Sequence, residues 1–161
     1  MYEFLEETVL DNMTVPAKTV APETTVGDLL RLFGTGSVDA YPVESDGRLI
    51  GIVSKADALK AFALKQDHIL PHYDDAMGTT VEEVMTRQVM TVDPETKLQR
   101  VLHLMEKYHF KSLPVIDAGC RLRGMIARED VIRALARCNR RRASAQMLPL
   151  PAPPVGYYAI A

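Results

Sequence analysis

An internal repeat is the feature that most constrains the fold of this chain of 161 residues. The second copy lies 72 residues after the first (Thr8 aligns with Thr80), and one extra residue precedes its last matching segment. The matching segments occur in the same order: "TVLDNMT" at 8–14 with "TVEEVMT" at 80–86, "TVAPETTV" at 19–26 with "TVDPETKL" at 91–98, "YPV" at 41–43 with "LPV" at 113–115, and "GIVSKADALKAF" at 51–62 with "GMIAREDVIRAL" at 124–135. Because such repeats fix architecture, the sequence predicts two similar structural units.

Each copy predicts the same secondary structure. Apolar residues spaced i, i+3, i+4, i+7 indicate an amphipathic helix with one buried face. These residues are Val26, Leu29, Leu30 and Phe33 in the first copy and Leu98, Val101, Leu102 and Met105 in the second. Thr24 and Thr96 are the predicted N-caps of the two helices, since each follows a Pro-Glu turn.

Two short strands and a closing helix follow in each copy. The strands are "AYPV" and "LIGIV" in the first and "SLPVI" and "LRGMI" in the second, with a glycine turn between them. Each repeat therefore reads roughly as strand, helix, strand, strand, helix, which makes the predicted class α/β (α+β). A half of under about 60 residues buries too little core alone, so we expect the halves to pack about a pseudo-two-fold axis.

The chain divides into four predicted parts. They are repeat 1 with an N-terminal helix at 1–66, a linker at 67–79, repeat 2 at 80–137, and a tail at 138–161. The linker is polar and contains Pro71 and Gly78. The tail is basic and rich in proline without periodicity, which predicts an extended or disordered segment.

Composition narrows the classes of protein. A net charge of −2 gives no reason to expect binding to nucleic acid. No apolar run approaches the roughly 20 residues that span a bilayer, and the acidic start is unlike a signal peptide. Cys120 and Cys138 form no disulfide framework and predict free thiols in a reducing compartment. We therefore expect a soluble cytoplasmic protein without membrane association.

The motifs "YPV…GIVSxxDAL" and "LPVI…GMIAxxDVI" resemble a tandem pair of cystathionine-β-synthase (CBS) domains, also called a Bateman module. The resemblance covers about residues 8–137. It implies two clefts between the repeats, which bind AMP, ADP, ATP or S-adenosylmethionine as a regulatory ligand. It also implies that no cofactor is required, that the module is not an enzyme, and that it forms a homodimer and signals to a protein partner that the sequence does not name.

The resemblance also implies a main cleft. Its residues, carried over position by position, are Ser54, Lys55, Asp57, Met90, Lys111, Ser112, Leu113 and Arg128. Asp57 can accept hydrogen bonds from both ribose hydroxyls, as a carboxylate does well. Ser54 lies at a strand-to-helix turn, where amide groups favour a phosphate. Lys111 supplies a cation near the phosphates, and Lys55 and Arg128 are further candidates.

A second, weaker cleft is implied by the same motifs. It would contain Lys18, Asp39, Ala40, Tyr41 and Asp130. This cleft has Ala127 where the first has a serine, and Asp39 where the first has Lys111. A lost hydroxyl costs about 1.5–3 kcal/mol against a charged partner. We therefore expect this cleft to be weak, empty or occupied by an uncharged adenosine compound.

Other interpretations compete with ligand binding. Ser54 can simply cap the helix "KADALKAF", which explains the serine but not the recurrence of Asp in both copies. The module can also be a structural or interaction protein with vestigial clefts, while an enzyme is the least supported class. "HILPHYDD" at 68–75 is interpreted as a solvated linker rather than a metal site, and "RCNRRR" at 137–142 as a solvated helix end. "PLPAPP" at 149–154 is either a polyproline ligand for a partner or a spacer.

Overall fold

The computed structural model of the protein describes residues 2–36, 38–63 and 73–146. Within them the elements run in the order α1 (Tyr2–Glu6), α2 (Val26–Thr35), β1 (Ala40–Ser45), β2 (Arg48–Ser54), α3 (Lys55–Lys60), α4 (Tyr73–Gly78), α5 (Val81–Val84), α6 (Leu98–Tyr108), β3 (Ser112–Ile116), β4 (Leu122–Ala127) and α7 (Arg128–Gln146). Helices and small sheets alternate in two similar halves, which confirms the predicted mixed fold. No described helix is long and apolar enough to cross a membrane.

Each half is built on an antiparallel hairpin. β1 pairs with β2 from Ala40–Ser54 to Ser45–Arg48, and β3 pairs with β4 from Ser112–Ala127 onward. The predicted first strand of each repeat is reduced to a single parallel bridge, from Val20 to Val43 and from Val92 to Val115.

The predicted apolar faces of α2 and α6 are largely buried. Leu29 and Leu98 are fully inaccessible to solvent, whereas Leu102 is 41% exposed. The predicted N-caps are wrong by one residue, because α2 is capped by Thr25 and α6 by Lys97. Tertiary pairing explains the shift: the carbonyls of Thr24 and Thr96 accept hydrogen bonds from Val81 and Val9. Both threonines instead close the turn that precedes the helix, since their amides donate to the carbonyls of Ala21 and Asp93 at 3.1 Å.

The segment that begins each repeat packs against the other half. The Thr86 and Ile52 backbones exchange two hydrogen bonds of 2.9 Å, so the start of repeat 2 lies beside β2. Thr14 pairs in the same way with Met125 of β4. The two cores reflect this exchange. Val81 and Met85 belong to the core around Leu29 and Val53, and Phe4 and Val9 belong to the core around Leu98 and Ile126.

Glycine is required where the two segments that pack against the opposite half, residues 4–14 and 80–90 and here called the crossing segments, approach the sheets. A Cβ on Gly124 would lie 2.7 Å from the carbonyl oxygen of Thr14. A Cβ on Gly51 would lie 2.5 Å from Sδ of Met85 and 3.2 Å from the Thr86 oxygen. The glycines at the start of "GIV" and "GMI", which have no Cβ, therefore leave room for the crossing segments to pack against β2 and β4.

The predicted extended tail is wrong over residues 138–146, because α7 continues to Gln146. Cys138 is 5% exposed and belongs to the second core together with Ala134. Arg137 donates to Glu7 at 3.0 Å and also to Asn12, which holds the helix against the N-terminal segment.

The end of the predicted linker also forms a helix, α4. "PLPAPP", His68 and His72 lie outside the described residues, within which no cluster of metal-binding side chains occurs.

We predict that Gly124→Ala destabilises the protein by about 1–3 kcal/mol, because a backbone oxygen cannot move away from the added methyl group. Gly51→Ala should cost less, since the sulfur of Met85 can shift. Gly34→Ala is the control: outside its chain neighbours and its own helix backbone, no atom lies within 4 Å of its Cβ position, so this change in α2 should stabilise by roughly 0.5–1 kcal/mol. Urea unfolding measures all three, and equal costs at Gly124 and Gly34 would contradict the interpretation.

Candidate functional site

A cavity with a volume of about 550 Å³ lies where the two halves meet. This volume is in the range of small-molecule sites, roughly 300–1,000 Å³. One half contributes Asp39, Ala40, Ile52 and residues 54–57, the crossing segment contributes Thr86 and residues 88–90, and the other half contributes residues 109–114. The cavity therefore depends on the relative position of both repeats.

Most of the predicted main-cleft residues are brought together here. The lining includes Ser54, Lys55, Asp57, Met90, Lys111, Ser112 and Leu113. Arg128 is not part of this lining; its Nε donates to the carbonyl oxygen of Phe110 at 2.9 Å, and its amide donates to that of Lys111 at 3.0 Å. It thus holds the chain that forms one wall. The role of each residue toward a ligand stays a prediction.

Sequence reasoning missed part of the wall. Ile52, Thr86, Gln88, His109 and Phe110 also line the cavity. Ile52 and Thr86 pair through their backbones where the crossing segment meets β2. The proximity of Gln88 to the already predicted Met90, and of His109 and Phe110 to Lys111, is the only signal in the sequence that could have indicated them.

Ser54 and Asp57 form a capping box at the start of α3. The Ser54 hydroxyl accepts from the Asp57 amide at 3.2 Å and donates to Asp57 Oδ2 at 2.6 Å. The Ser54 amide donates to the same carboxylate oxygen at 2.9 Å, and Lys60 pairs with Oδ1. A carboxylate has about four acceptor positions, so little of this capacity is free for a ligand.

Asp130 occupies the equivalent position in the second half. Its Oδ2 accepts from the Ala127 amide at 2.7 Å, and its Oδ1 pairs with Arg133. The recurrence of Asp thus has a structural cause at the start of α3 and of α7. The sequence argument that capping does not explain the repeated aspartate is wrong.

Asp57 is ionised at neutral pH despite its burial. Burial opposes the charged form, but hydrogen bonds from Lys60 and from Ser54 outweigh it and lower the pKa of this carboxyl below its ordinary value. The carboxylate is 9% exposed. A buried charge held in this way is part of the fold as well as of the cavity wall.

Asp39 lies between two lysines on the cavity wall. Its Oδ1 is 3.2 Å from Lys111 Nζ, in the other half, and 3.5 Å from Lys55 Nζ. The hydrogen bond from Lys111 lowers the pKa of Asp39 against the opposing effect of burial, and the charges of Lys111 and Lys55 lower it further. Sequence reasoning had separated Lys111 and Asp39 into different clefts, whereas the structure joins them in one.

The predicted second cleft is less well supported by side-chain positions. Asp39 and Ala40 line the first cavity. The Tyr41 side chain lies in the core of the first half, where its ring centroid is 5.2 Å from that of Phe33 and its hydroxyl donates to the Leu32 oxygen at 3.4 Å. Lys18 is exposed on the segment that follows the Thr14 bridge to β4.

We predict that Asp57→Asn lowers the free energy of unfolding at pH 7 by about 1–3 kcal/mol, because a charged acceptor of several hydrogen bonds is removed. The folded pKa of Asp57 is depressed, so its stabilisation is present above the unfolded value of about 3.9 and is lost as pH falls through the folded pKa. The difference from wild type should therefore shrink below about pH 4.

Denaturant unfolding at a series of pH values measures this effect. Asp46→Asn is the matched control, because Asp46 is exposed in the turn between β1 and β2. A constant difference between wild type and Asp57→Asn across the acid range would exclude the proposed origin of the stabilisation.

A sequence model of the CBS domain family matches the chain twice, at residues 7–64 and 81–137. The uncharacterized protein MJ1426 of Methanocaldococcus jannaschii is 31% identical over 133 residues, which cover 67% of this chain and 79% of that protein. Several other curated relatives are longer, and the chain spans less than half of their length.

Solved structures agree with the family match. CBSX2 of Arabidopsis thaliana, in complex with AMP, is 30% identical with a TM-score of 0.69, and the match covers 82% of this chain and 98% of that one. The CBS domain pair of protein MJ0100, in complex with 5′-methylthioadenosine and S-adenosyl-L-methionine, is 26% identical with a TM-score of 0.66, again over 82% and 98%. The chain belongs to the CBS domain family, and its two repeats form a tandem CBS pair.

Proposed function

We propose that the cavity between the repeats binds an adenosine-type compound and that this binding regulates a protein partner. The observation that carries the proposal is that both halves build the walls of one cavity of suitable volume. A ligand that contacts both halves changes their relative position or stiffness, because it binds one arrangement better than another. CBS pairs similar to this one hold AMP, or 5′-methylthioadenosine and S-adenosylmethionine.

The lining offers a place for each part of such a ligand. Apolar side chains suited to an adenine ring come from Ile52, Val89, Met90, Phe110, Leu113 and Pro114. Asp57 is the carboxylate near which we place the ribose, at the cost of some of its capping bonds. Lys55 and Lys111 are the lining cations near which we place the 5′ substituent, and both contact Asp39.

We assign no chemistry to the bound compound, which should be recovered unchanged after incubation with the protein. The carboxylates of the cavity are already engaged: Asp57 in the capping box and Asp39 with the lysines. We place the protein in the cytoplasm, in keeping with its free thiols at Cys120 and Cys138.

An interaction module with a vestigial cavity is the second candidate. It is favoured by the capping box, since Ser54 and Asp57 satisfy one another without a ligand. In that case the cavity has no regulatory compound and the surface of the module makes the functional contacts.

Calorimetry and thermal melts separate the two candidates. They measure whether the protein binds AMP, ATP, 5′-methylthioadenosine or S-adenosylmethionine. A compound present at 100 times its Kd should stabilise the protein by about 2.7 kcal/mol. Asp57→Ala should weaken its binding by about tenfold or more, because a buried charged acceptor is lost.

Asp130→Ala is the matched control for this experiment. It removes the equivalent capping carboxylate from α7 and so costs similar stability, but Asp130 is not part of the cavity lining. Binding that survives Asp130→Ala and fails in Asp57→Ala supports the sensor. No binding of any of these compounds supports the interaction module.

We also propose that the protein forms a homodimer through α3 and α7. Leu59 is 62% exposed, Ile132 63% and Leu135 42%, and these helices follow β2 and β4 at equivalent positions of the two repeats. Sedimentation should give twice the chain mass of 17.9 kDa. Ile132→Glu should shift the mass toward one chain, whereas Leu10→Glu, at an exposed leucine near the N-terminus, should not. A wild-type protein that sediments as one chain would contradict the proposal.

A further inference from the structure

The ion cluster on the cavity wall breaks the symmetry of the two repeats. Asp39 precedes β1 and Lys111 precedes β3 at equivalent repeat positions, since each lies two residues before its "YPV" or "LPV" motif. Their backbones make equivalent hydrogen bonds to the first residue of the helix that closes each repeat. The Asp39 carbonyl accepts from the Lys55 amide, and the Lys111 carbonyl accepts from the Arg128 amide. Their side chains carry opposite charges, and Lys111 Nζ lies 3.2 Å from Asp39 Oδ1 on the cavity wall.

The cations that line this cavity are already paired. Lys111 and Lys55 both contact Asp39, and Lys55 also lies over the Phe33 ring at 5.8 Å from its centroid. Asp57, the other lining carboxylate, is paired with Lys60. The lining thus contains two lysines and two aspartates, and its charges balance.

We propose that Asp39 determines the charge selectivity of the cavity: as an internal counter-ion of Lys55 and Lys111, it disfavours phosphorylated adenosine compounds relative to those with an uncharged 5′ group. This inference rests on the proposed function, because it concerns which adenosine compounds the same cavity accepts.

The physical reason is competition between two anions for the same cations. A 5′-phosphate that approaches Lys111 meets the Asp39 carboxylate at the same place and must either displace it or accept its repulsion. Asp39 stays ionised at neutral pH, since its pKa is lowered by the hydrogen bond from Lys111. An uncharged 5′ substituent leaves the ion cluster intact.

The test compares AMP with 5′-methylthioadenosine, two probes that share the adenine and ribose and differ in the charge of the 5′ group. Calorimetry on the wild type, Asp39→Asn and Asp46→Asn gives Kd values at low and at high salt. Asp39→Asn should tighten AMP binding by about tenfold and leave 5′-methylthioadenosine within about twofold. Asp46→Asn, which removes an equal charge from an exposed turn, should change neither probe.

A second variant checks that the gain comes through Lys111. Asp39→Asn should give a smaller gain for AMP when combined with Lys111→Gln, because only Lys55 of the two released cations is then present. High salt should also reduce the gain, since it screens the exposed charges. The thermal midpoint of Asp39→Asn reports any general loss of structure, which would weaken both probes alike.

The outcomes separate this inference from the proposed function. If 5′-methylthioadenosine or AMP binds the wild type and Asp39→Asn leaves the ratio of their affinities unchanged, the selectivity role of Asp39 is overturned while the binding function stands. If neither these probes nor ATP nor S-adenosylmethionine binds the wild type or any variant, the proposed function fails and this inference fails with it.

Discussion

The exchange of the crossing segments is the constraint on which the rest of the structure depends. Thr86 pairs with Ile52 in one half and Thr14 pairs with Met125 in the other. Each pairing brings a short apolar helical segment or turn into the core of the opposite half. A Cβ at these places would meet the Thr14 oxygen at Gly124 and the Met85 side chain at Gly51, which explains the glycine at the same place in both repeats.

The same exchange builds the cavity. After Thr86 has paired with β2, the chain runs through residues 88–90 along the wall before it enters the second half. The two hairpins then face each other, and the residues that precede β1 and β3 meet through Asp39 and Lys111. The site is thus a consequence of how the halves are joined. Two of its charged residues, Asp39 and Lys111, occupy equivalent positions in the two repeats.

Local patterns in the sequence predicted the elements well. The spacing of Leu29 and Leu98 among apolar neighbours located α2 and α6, because a helix buries residues three and four apart. Patterns of this kind report which face is buried but not which half covers it, so the exchange was missed. The end of α7 was also missed, since small or polarisable residues such as Ala134 and Cys138 make a weak apolar stripe.

The residues of the candidate site were likewise predictable from the sequence only in part. The resemblance to CBS domains indicated Ser54, Asp57 and Lys111, which the cavity lining contains. The contact of Asp39 with Lys111 was not predictable, because it depends on the distance between two hairpins that are far apart in the chain. The capping role of Asp57 was underestimated, since a carboxylate at the third helical position satisfies the amide of the N-cap residue as readily as it contacts a ligand.

The crossing segments also determine what the halves can do apart. A chain of residues 1–63 lacks Val81 and Met85 from its core, and a chain of residues 73–146 lacks Phe4 and Val9 from its own. Each piece therefore carries core residues of the other, so the two halves do not form independently folding domains. Fragments of this kind are expected to reassemble when mixed and to remain incomplete when separate.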